Sequence, residues 1–198
     1  MGRVSRACAN ENRQRILSVA CAMFRARGID KVSIAEIMNA AGLTTGGFYN
    51  HFSSKNALIK EAAAMAFDQV GDAWRDSPAA LDASVGRKPE LEALVHGYLL
   101  DDIPEKRCPM LAFASTPIST EELDEVREVY GDGAYSIYES VKTSYRLSRK
   151  EDDEDLLVLF SALVGYKLIA ESIDDAEWKL ALRTAIINAA KSLASNSN

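Results

Sequence analysis

The sequence contains few of the residues from which enzyme and metal sites are commonly built. Its 198 residues include two histidines and three cysteines. It has no CxxC pair and no Cys/His cluster, so the pattern favours neither a zinc site nor a disulfide framework. The GxSxG and HExxH signatures are also missing, as is a glycine-rich phosphate loop after a strand. We therefore predict that the protein is not an enzyme and uses no cofactor and no metal.

Long apolar runs and prolines are scarce as well. No apolar run reaches the roughly 18 residues that a membrane-spanning helix needs. The first residues, MGRVSRACANENRQR, show no apolar stretch of the kind found in signal peptides. Only five prolines interrupt the chain, strand-like alternation is absent, and apolar residues recur at helical spacing. These patterns predict an all-α, cytoplasmic protein that does not bind a membrane.

The apolar spacing and the positions of turn residues predict where the helices lie. A first helix is expected at about 12–27, with Ile16, Ala20, Met23 and Phe24 on one apolar face. Further helices are expected at about 34–41, 45–52, 54–74, 89–101, 108–115, 121–147, 154–173 and 175–194. The sequence Gly131-Asp132-Gly133 predicts a kink in the long helix 121–147.

Acidic residues are rare in the amino-terminal part of the chain. Residues 1–60 contain nine Lys and Arg against three Asp and Glu, whereas residues 61–198 contain 14 against 26. The overall charge of −6 therefore hides a basic amino-terminal segment joined to an acidic remainder. Such an asymmetry indicates that the basic segment contacts a polyanion.

The most informative stretch runs from Gly42 to Leu58 and reads GLTTGGFYNHFSSKNAL. Upstream of it, Ser33 and Glu36 have the spacing of a capping box that begins a short helix, and Gly42 ends that helix. A second short helix then begins at Thr44 or Thr45. Two short helices joined by a tight, glycine-containing turn form a helix-turn-helix, which we place at about 33–52.

The second of these short helices contains the adjacent residues Gly46 and Gly47. A glycine inside a helix costs roughly 1 kcal/mol relative to alanine. A helix-turn-helix inserts its second helix into the DNA major groove, where missing side chains let the main chain approach phosphates and base edges closely. The pair therefore predicts DNA binding, with Thr44, Thr45 and Asn50 as candidates for base contacts.

Polar groups near the glycine pair suit phosphate oxygens. Tyr49 and His51 offer a hydroxyl and an imidazole. Lys55 falls in the first turn of the next helix, where the helix dipole disfavours a cation unless an anion binds there too. Phe48 and Phe52 are expected to face inward. The predicted DNA-binding residues are Ser33, Thr44, Thr45, Gly46, Gly47, Tyr49, Asn50, His51 and Lys55.

Residues 15–58 resemble the DNA-binding head of TetR/AcrR-family transcriptional regulators, above all in AGLTTGGFYNHFSSKNAL. The sequence departs from the family at Gly47, where a small hydroxyl residue or alanine is frequent. In the family, phosphate contacts fall at positions that match Thr44, Tyr49, His51 and Lys55. Arg3 and Arg6 could form an arm near the minor groove.

The resemblance also implies an architecture and a function. It implies an all-α fold with a three-helix, helix-turn-helix DNA-binding domain at 1–53. A larger helical bundle at 54–198 would bind an effector and form a homodimer. The implied function is a repressor that binds a near-palindromic operator in double-stranded DNA and is released by a small molecule. An alternative is a TetR-like regulator controlled by a protein partner or by oxidation of Cys8 or Cys108, both of which could be exposed thiols.

Two carboxy-terminal stretches are predicted to form the dimer interface. Residues 156–170, LLVLFSALVGYKLIA, are apolar nearly all round, so this helix needs burial on two sides. We expect it and the last helix to pair with their symmetry mates as four helices, although a purely intramolecular core is the alternative. The predicted interface residues are Ser161, Ala162, Gly165, Trp178, Leu182, Ile186 and Ala189.

Residues on the middle helices are candidates for an effector pocket, although each could instead be an ordinary core residue. They combine aromatic or apolar bodies with polar ends, which would suit an apolar or aromatic ligand with one polar group. The candidates are Trp74, His96, Tyr98, Met110, Phe113, Tyr135, Tyr138 and Tyr166.

Overall fold

A computed structural model describes residues 6–75, 91–114, 124–144, 150–174 and 177–196. Within these ranges every regular element is a helix, as the sequence predicts. In chain order they are α1 (Arg6–Arg27), α2 (Ile34–Ala40), a 3₁₀ helix at Thr45–Asn50 that we call the glycine helix, α3 (Lys55–Arg75), α4 (Leu91–Leu100), a 3₁₀ turn (Pro104–Lys106), α5 (Pro109–Ala112), α6 (Asp124–Ser144), α7 (Lys150–Ser172) and α8 (Glu177–Asn196).

Some helix boundaries differ from those expected. Helix α1 begins at Arg6 rather than near residue 12, so Arg6 belongs to a helix and not to an arm. Arg3 lies outside the described residues. Helix α6 is continuous through Gly131, Asp132 and Gly133. A Cβ atom at Gly133 would overlap the Phe67 ring, so glycine is needed there because two helices pack very closely.

The chain forms two compact units that do not follow the chain order. The first contains residues 1–68 and 102–133, and the second contains residues 69–101 and 134–198. Helices α3 and α6 each begin in the first unit and end in the second.

The core of the first unit is built around α1. Ile16, Ala20 and Phe24 are buried on its predicted apolar face. Their neighbours in this core come from α2, the glycine helix, α3 and the segment after the 3₁₀ turn. From that segment Phe113 packs edge to face on Phe24, with ring centroids 6.4 Å apart. Residues 102–114 and 124–133 thus complete the core of the unit that contains the helix-turn-helix.

A buried arginine fastens the 3₁₀ turn to α1. Arg25 is 3% exposed, and its Nε donates a hydrogen bond of 2.7 Å to the carbonyl of Arg107. Its Nη2 donates to the carbonyl of Lys106. A buried cation needs such partners because desolvation is otherwise very unfavourable. Arg25 therefore has a structural role in the first unit.

The second unit has its own core, formed by α4, the end of α3, α6, α7 and α8. Its buried cation is Lys167, whose Nζ donates to the carbonyl of Asp101 at 2.5 Å. Elsewhere in this unit the Tyr138 hydroxyl donates to Asp153 Oδ1, and Lys142 Nζ pairs with Asp153 Oδ2 at 2.9 Å. The hydrogen bond from Tyr138 lowers the pKa of Asp153 below its ordinary value, and the hydrogen bond from Lys142 adds a smaller effect in the same direction.

Candidate nucleic-acid interface

The first helix of the helix-turn-helix, α2, is capped as the sequence predicts. The Glu36 backbone N–H donates to Ser33 Oγ at 3.2 Å, and the Ser33 backbone N–H donates to Glu36 Oε2 at 2.8 Å. Arg27 Nη2 also pairs with Glu36 Oε1 at 2.7 Å. The hydrogen bonds from Ser33, followed by that from Arg27, lower the pKa of Glu36 to about 2. The hydroxyl of Ser33, a predicted DNA-binding residue, is thus engaged in this cap.

The turn after α2 requires glycine at residue 42. Gly42 has φ of 69°, a left-handed conformation that other residues adopt with strain. Its backbone N–H donates to the carbonyl of Asn39 at 2.9 Å, and the N–H of Leu43 donates to the carbonyl of Met38 at 2.8 Å. These bonds satisfy carbonyl groups at the end of α2, and they set the direction in which the chain enters the next helix.

The glycine helix is a six-residue 3₁₀ helix, a longer run than this tight form usually has. The N–H of Gly47 donates to the carbonyl of Thr44 at 3.0 Å, and the N–H of His51 donates to that of Phe48 at 2.9 Å. Thr44, at the start, makes no capping hydrogen bond with its side chain. The amino-terminal end of the helix therefore receives no stabilisation from a side-chain cap.

The fold itself does not require glycine at residues 46 and 47. In the first unit, the left-handed glycines are Gly28 and Gly42. A Cβ atom on Gly46 would meet nothing within 4 Å. On Gly47 it would lie 3.8 Å from Met38 Cε and from Thr44 Oγ1, which is an ordinary van der Waals distance. Both positions thus have room for a side chain. Glycine lowers the helix propensity at each of them, and no steric clash within the protein explains its presence.

Aromatic packing holds the glycine helix on the first unit. Phe48 and Phe52 are buried, which confirms that they face inward. Their rings stack with centroids 5.8 Å apart and an interplanar angle of 25°. Tyr49 is 70% exposed, and its ring meets that of Phe48 edge to face at 5.2 Å. The buried phenylalanines thus support an exposed tyrosine.

The remaining predicted DNA-binding residues lie at or near the surface. Asn50, Thr44, Thr45 and Gly46 are exposed, and Gly47, His51 and Lys55 are half-buried. Together with Tyr49 they offer hydroxyl, amide, imidazole and ammonium groups next to the main chain of Gly46 and Gly47, which no side chain covers. These are the groups that proteins use on phosphate oxygens and base edges.

Lys55 has a partner that the sequence did not indicate. Its Nζ donates to the carbonyl of Ile29 at 3.0 Å, and the start of α3 is capped by Ser54, whose Oγ accepts from the N–H of Ala57 at 3.0 Å. This carbonyl contact gives the cation in the first turn of α3 a role within the fold. An ammonium has three donors, so a phosphate contact by Lys55 stays a prediction that is compatible with this geometry.

Sequence reasoning missed Arg13, on α1. Its Nη2 pairs with Glu61 Oε1 at 2.6 Å, and its guanidinium carbon lies 4.6 Å from the centre of the Phe52 ring. Both partners are distant in sequence. No local pattern in the chain could have identified these contacts.

The predicted pocket residues are divided among different places. Trp74, Tyr98, Tyr138 and Tyr166 belong to the core of the second unit. Met110 and Phe113 are buried in the first unit instead, because α5 packs beside α1. Tyr135 is 63% exposed and His96 is also exposed. The structure thus brings four of the eight residues together.

The predicted dimer residues mostly lie on the surface of α7 and α8. Ser161, Trp178 and Ala189 are exposed, and Ala162, Gly165 and Leu182 are half-buried. Ile186 is different, because it is buried in the core of the second unit. Exposed apolar residues near the predicted set are Leu157, Val158, Leu168 and Leu180.

None of the three cysteines forms a disulfide, and one of them is exposed. Cys8 lies on the surface of α1, whereas Cys21 and Cys108 are buried. The expectation that Cys108 is an exposed thiol is therefore wrong. The burial of Cys108 follows from its place immediately before α5, in the segment that packs on α1.

In the part of the chain that the structure describes, no helix is both long enough and apolar enough to cross a membrane.

Comparisons with known proteins agree on the amino-terminal residues. Residues 16–62 match the family model described as bacterial regulatory proteins, tetR family. The chain is 38% identical over 72 residues to the HTH-type transcriptional regulator AcrR of Shigella flexneri, covering 36% of this chain and 34% of that protein. It is 33% identical over 67 residues to the HTH-type transcriptional repressor KstR2 of Mycobacterium tuberculosis, covering 34% of each. The matches span about a third of the length of these curated relatives.

Solved structures resemble the chain over nearly its whole length. Reduced NemR of Escherichia coli has a TM-score of 0.71 at 16% identity, covering 92% of this chain and 97% of that one. A tetR-family transcriptional regulator from Streptomyces coelicolor has a TM-score of 0.65 at 19% identity, covering 100% of this chain and 83% of that one. At these identities the likeness concerns the fold. The capped helix-turn-helix and the matching sequence identify residues 16–62 as a domain of the tetR family of bacterial regulatory proteins, and the all-helical fold is shared with solved TetR-family structures.

Proposed function

We propose that this protein is a cytoplasmic transcriptional repressor whose residues 1–53 bind operator DNA. The observation that carries the proposal is the glycine pair. Gly46 and Gly47 lie in a surface helix with room for a Cβ atom and with no left-handed backbone angle. Because folding does not require these glycines, an external partner that needs a close main-chain approach explains them. Duplex DNA in the major groove is such a partner.

The charge distribution and the surface chemistry support the same proposal. Residues 1–60 are basic, and the rest of the chain is acidic. The exposed Tyr49 and the half-buried His51 and Lys55 flank the glycine pair. A basic surface attracts the phosphate backbone, which supplies most of the affinity in protein–DNA complexes. Thr44, Thr45 and Asn50 are the residues that would contact base edges.

Substitution of the three predicted phosphate contacts tests this proposal. The probe is a duplex recovered from a random-sequence pool by the wild-type protein. Tyr49→Ala, His51→Ala and Lys55→Ala together should lower affinity for it by at least 100-fold, because each lost contact to a charged group is worth about 1.5–3 kcal/mol. A matched control combines Tyr135→Ala, His96→Ala and Lys191→Ala, which changes the same residue types at exposed sites of the second unit. Unaltered binding by the first variant would contradict the assignment.

The proposed regulator acts as a homodimer through residues 54–198. Support comes from exposed apolar residues on α7 and α8, including Leu157, Val158, Leu168 and Trp178. Contiguous exposed apolar surface is uncommon in monomers and marks interaction sites. The small residues Ser161 and Gly165 would let a second helix approach closely. A two-fold dimer would place two heads on half-sites about 34–36 Å apart in a near-palindromic operator.

Light scattering on the eluting peak of a sizing column tests the dimer. The wild type should have twice the mass of the chain at micromolar concentration. Trp178→Glu should shift the mass towards that of the monomer, because it places a charge in an apolar contact. The control Tyr135→Glu introduces the same charge at another exposed aromatic residue. A monomeric wild type would refute the dimer but not DNA binding.

The effector of this repressor is proposed to be a small apolar or aromatic molecule. Trp74, Tyr98, Tyr138 and Tyr166 cluster in the second unit, where such a ligand would find aromatic surface and hydroxyl groups. Thermal shift assays against a panel of aromatic compounds test this, since a ligand raises the melting temperature by mass action.

The alternative is control by thiol oxidation. Among the cysteines that the structure describes, Cys8 is exposed and therefore accessible to an oxidant. If oxidation lowers the operator affinity of the wild type but not that of Cys8→Ser, the result would favour that alternative.

A further inference from the structure

Arg13 connects three elements of the first unit through one side chain. It lies on α1, and its Nη2 is 2.6 Å from Glu61 Oε1 on α3. Its guanidinium carbon lies 4.6 Å from the centre of the Phe52 ring, just after the glycine helix. About a third of the Arg13 side chain is exposed, as is about a third of Glu61. The guanidinium thus contacts the carboxylate and the ring at the same time.

The Phe52 ring is the first member of a series of aromatic contacts that ends at the surface. It stacks on Phe48 with ring centroids 5.8 Å apart. Phe48 meets the edge of Tyr49 at 5.2 Å. Phe48 and Phe52 are buried, whereas Tyr49 is 70% exposed. Arg13 is therefore at one end of the series and the exposed tyrosine is at the other.

The glycine helix depends on such external support. Thr44 makes no capping hydrogen bond with its side chain, and two glycines lower the intrinsic helix propensity. Its orientation must therefore come from packing, chiefly at Phe48 and Phe52. The planar guanidinium can lie flat on a ring while its edge pairs with a carboxylate, and a lysine ammonium cannot do both. An exposed ion pair by itself would contribute little to stability.

We propose that Arg13 is a positioning residue for DNA recognition, which orients the glycine helix through Phe52 and Phe48. This inference rests on the proposed function, because the readout of that orientation is operator binding. A residue that positions the reading helix affects recognition of one DNA sequence more than attraction to any duplex. Removal of a residue that contacts phosphate directly weakens binding to every duplex. It also reduces the slope of log affinity against log salt concentration by about one.

Binding measurements on Arg13→Met distinguish these roles. The probes are the duplex selected by the wild type and a scrambled duplex of equal length, each measured over a range of salt concentrations. We expect affinity for the selected duplex to fall roughly tenfold more than affinity for the scrambled one, with an unchanged salt slope. The matched control is Arg183→Met, which removes the same charge from a half-buried residue of α8 in the second unit. Equal losses on both duplexes, a reduced slope, or the same result for Arg183→Met would each overturn the proposal.

Amide hydrogen exchange on the free protein tests the same role without DNA. In Arg13→Met the amides of His51 and Phe52 should exchange at least several-fold faster, while amides of α8 stay unchanged. Unchanged exchange at His51 and Phe52 would overturn the proposal. Should Arg13→Met fail to fold, Arg13→Lys replaces it, because it keeps the charge and loses the flat face. A wild type that selects no duplex refutes the proposed function, and exchange then decides whether Arg13 supports the glycine helix.

Discussion

The two helices of the helix-turn-helix are stabilised in opposite ways. Helix α2 has a complete capping box at Ser33 and Glu36 and a left-handed glycine at its end. The glycine helix has no side-chain cap, contains two glycines and follows the tighter 3₁₀ form. The first helix carries the signals that stabilise a helix locally, whereas the second lacks them and depends on Phe48 and Phe52.

This difference indicates that the two helices have different roles, one in stability and one in binding. Ser33 and Glu36 at the start of α2 are committed to stability, because their polar groups already have intramolecular partners. The outer surface of the glycine helix is available to a partner molecule, with Tyr49 exposed and no Cβ atom at residues 46 and 47. Substitutions in α2 should therefore change stability, and those in the glycine helix should change DNA binding.

The largest effect is expected for Gly46→Ala, with Gly47→Ala as the matched control because alanine is frequent at that position in the family. An added methyl group at residue 46 should hold the helix away from DNA and weaken binding to the selected duplex roughly 100-fold, about the loss of one or two charge-assisted hydrogen bonds. Stability should stay the same or rise by up to about 1 kcal/mol per site, because alanine has less conformational freedom when unfolded. Binding curves and denaturant titrations measure the two effects. A destabilised variant that binds normally would reverse the comparison.

The turn glycine should show the opposite pattern. Gly42→Ala forces a side chain into the left-handed region, which costs about 1–2 kcal/mol. The expected result is a lower melting temperature with unchanged DNA affinity well below that temperature. Gly42→Asn is the matched control, and its smaller loss would show that backbone strain is the cause, because asparagine tolerates this conformation better.

Hydroxyl removal at the start of each helix sharpens the contrast. Ser33→Ala should lower the free energy of unfolding by about 1 kcal/mol through loss of the cap. Thr44→Ala should change that free energy by no more than about 0.5 kcal/mol, because Thr44 makes no capping hydrogen bond. DNA affinity should respond in the reverse order. Equal stability losses in a denaturant titration would mean that Thr44 has a structural role in the free protein.

The smallest effect concerns the pH dependence of the α2 cap. The pKa of Glu36 is about 2 in the folded protein and 4.5 when unperturbed, so the ionised form stabilises the fold. This contribution is complete above about pH 5 and disappears as the pH falls towards 2. Denaturant titrations of the wild type and Glu36→Gln should therefore differ by a constant amount at neutral pH and converge in acid. A difference that persists at pH 2 would exclude the carboxylate as its source.

Local signals in the sequence predicted much of this fold. The capping box at Ser33, the glycine at residue 42, and the inward Phe48 and Phe52 were all identified from spacing, because each depends on residues within one or two turns. The all-helical fold followed from apolar periodicity. The role of Lys55 is only partly visible in the sequence, since its partner carbonyl at Ile29 belongs to another element.

Contacts between distant segments could not be predicted from a single sequence. The packing of residues 102–114 on α1, which buries Phe113 and Cys108, depends on where the chain returns after α4. Arg25 resembles an ordinary basic residue near a helix end, and only the neighbouring carbonyl groups of residues 106 and 107 explain its burial. The contact of Arg13 with Phe52 is of the same kind. Such pairings are set by tertiary packing, which local patterns do not record.

The tight winding of the glycine helix also determines how much DNA it could cover. A 3₁₀ helix rises about 2.0 Å per residue, so its six residues span about 12 Å, against about 9 Å for an α-helix of equal length. Base pairs are stacked about 3.4 Å apart. The more tightly wound, narrower helix could thus follow three to four base-pair steps of one groove, so any longer recognition sequence has to be assembled from two copies or from DNA shape.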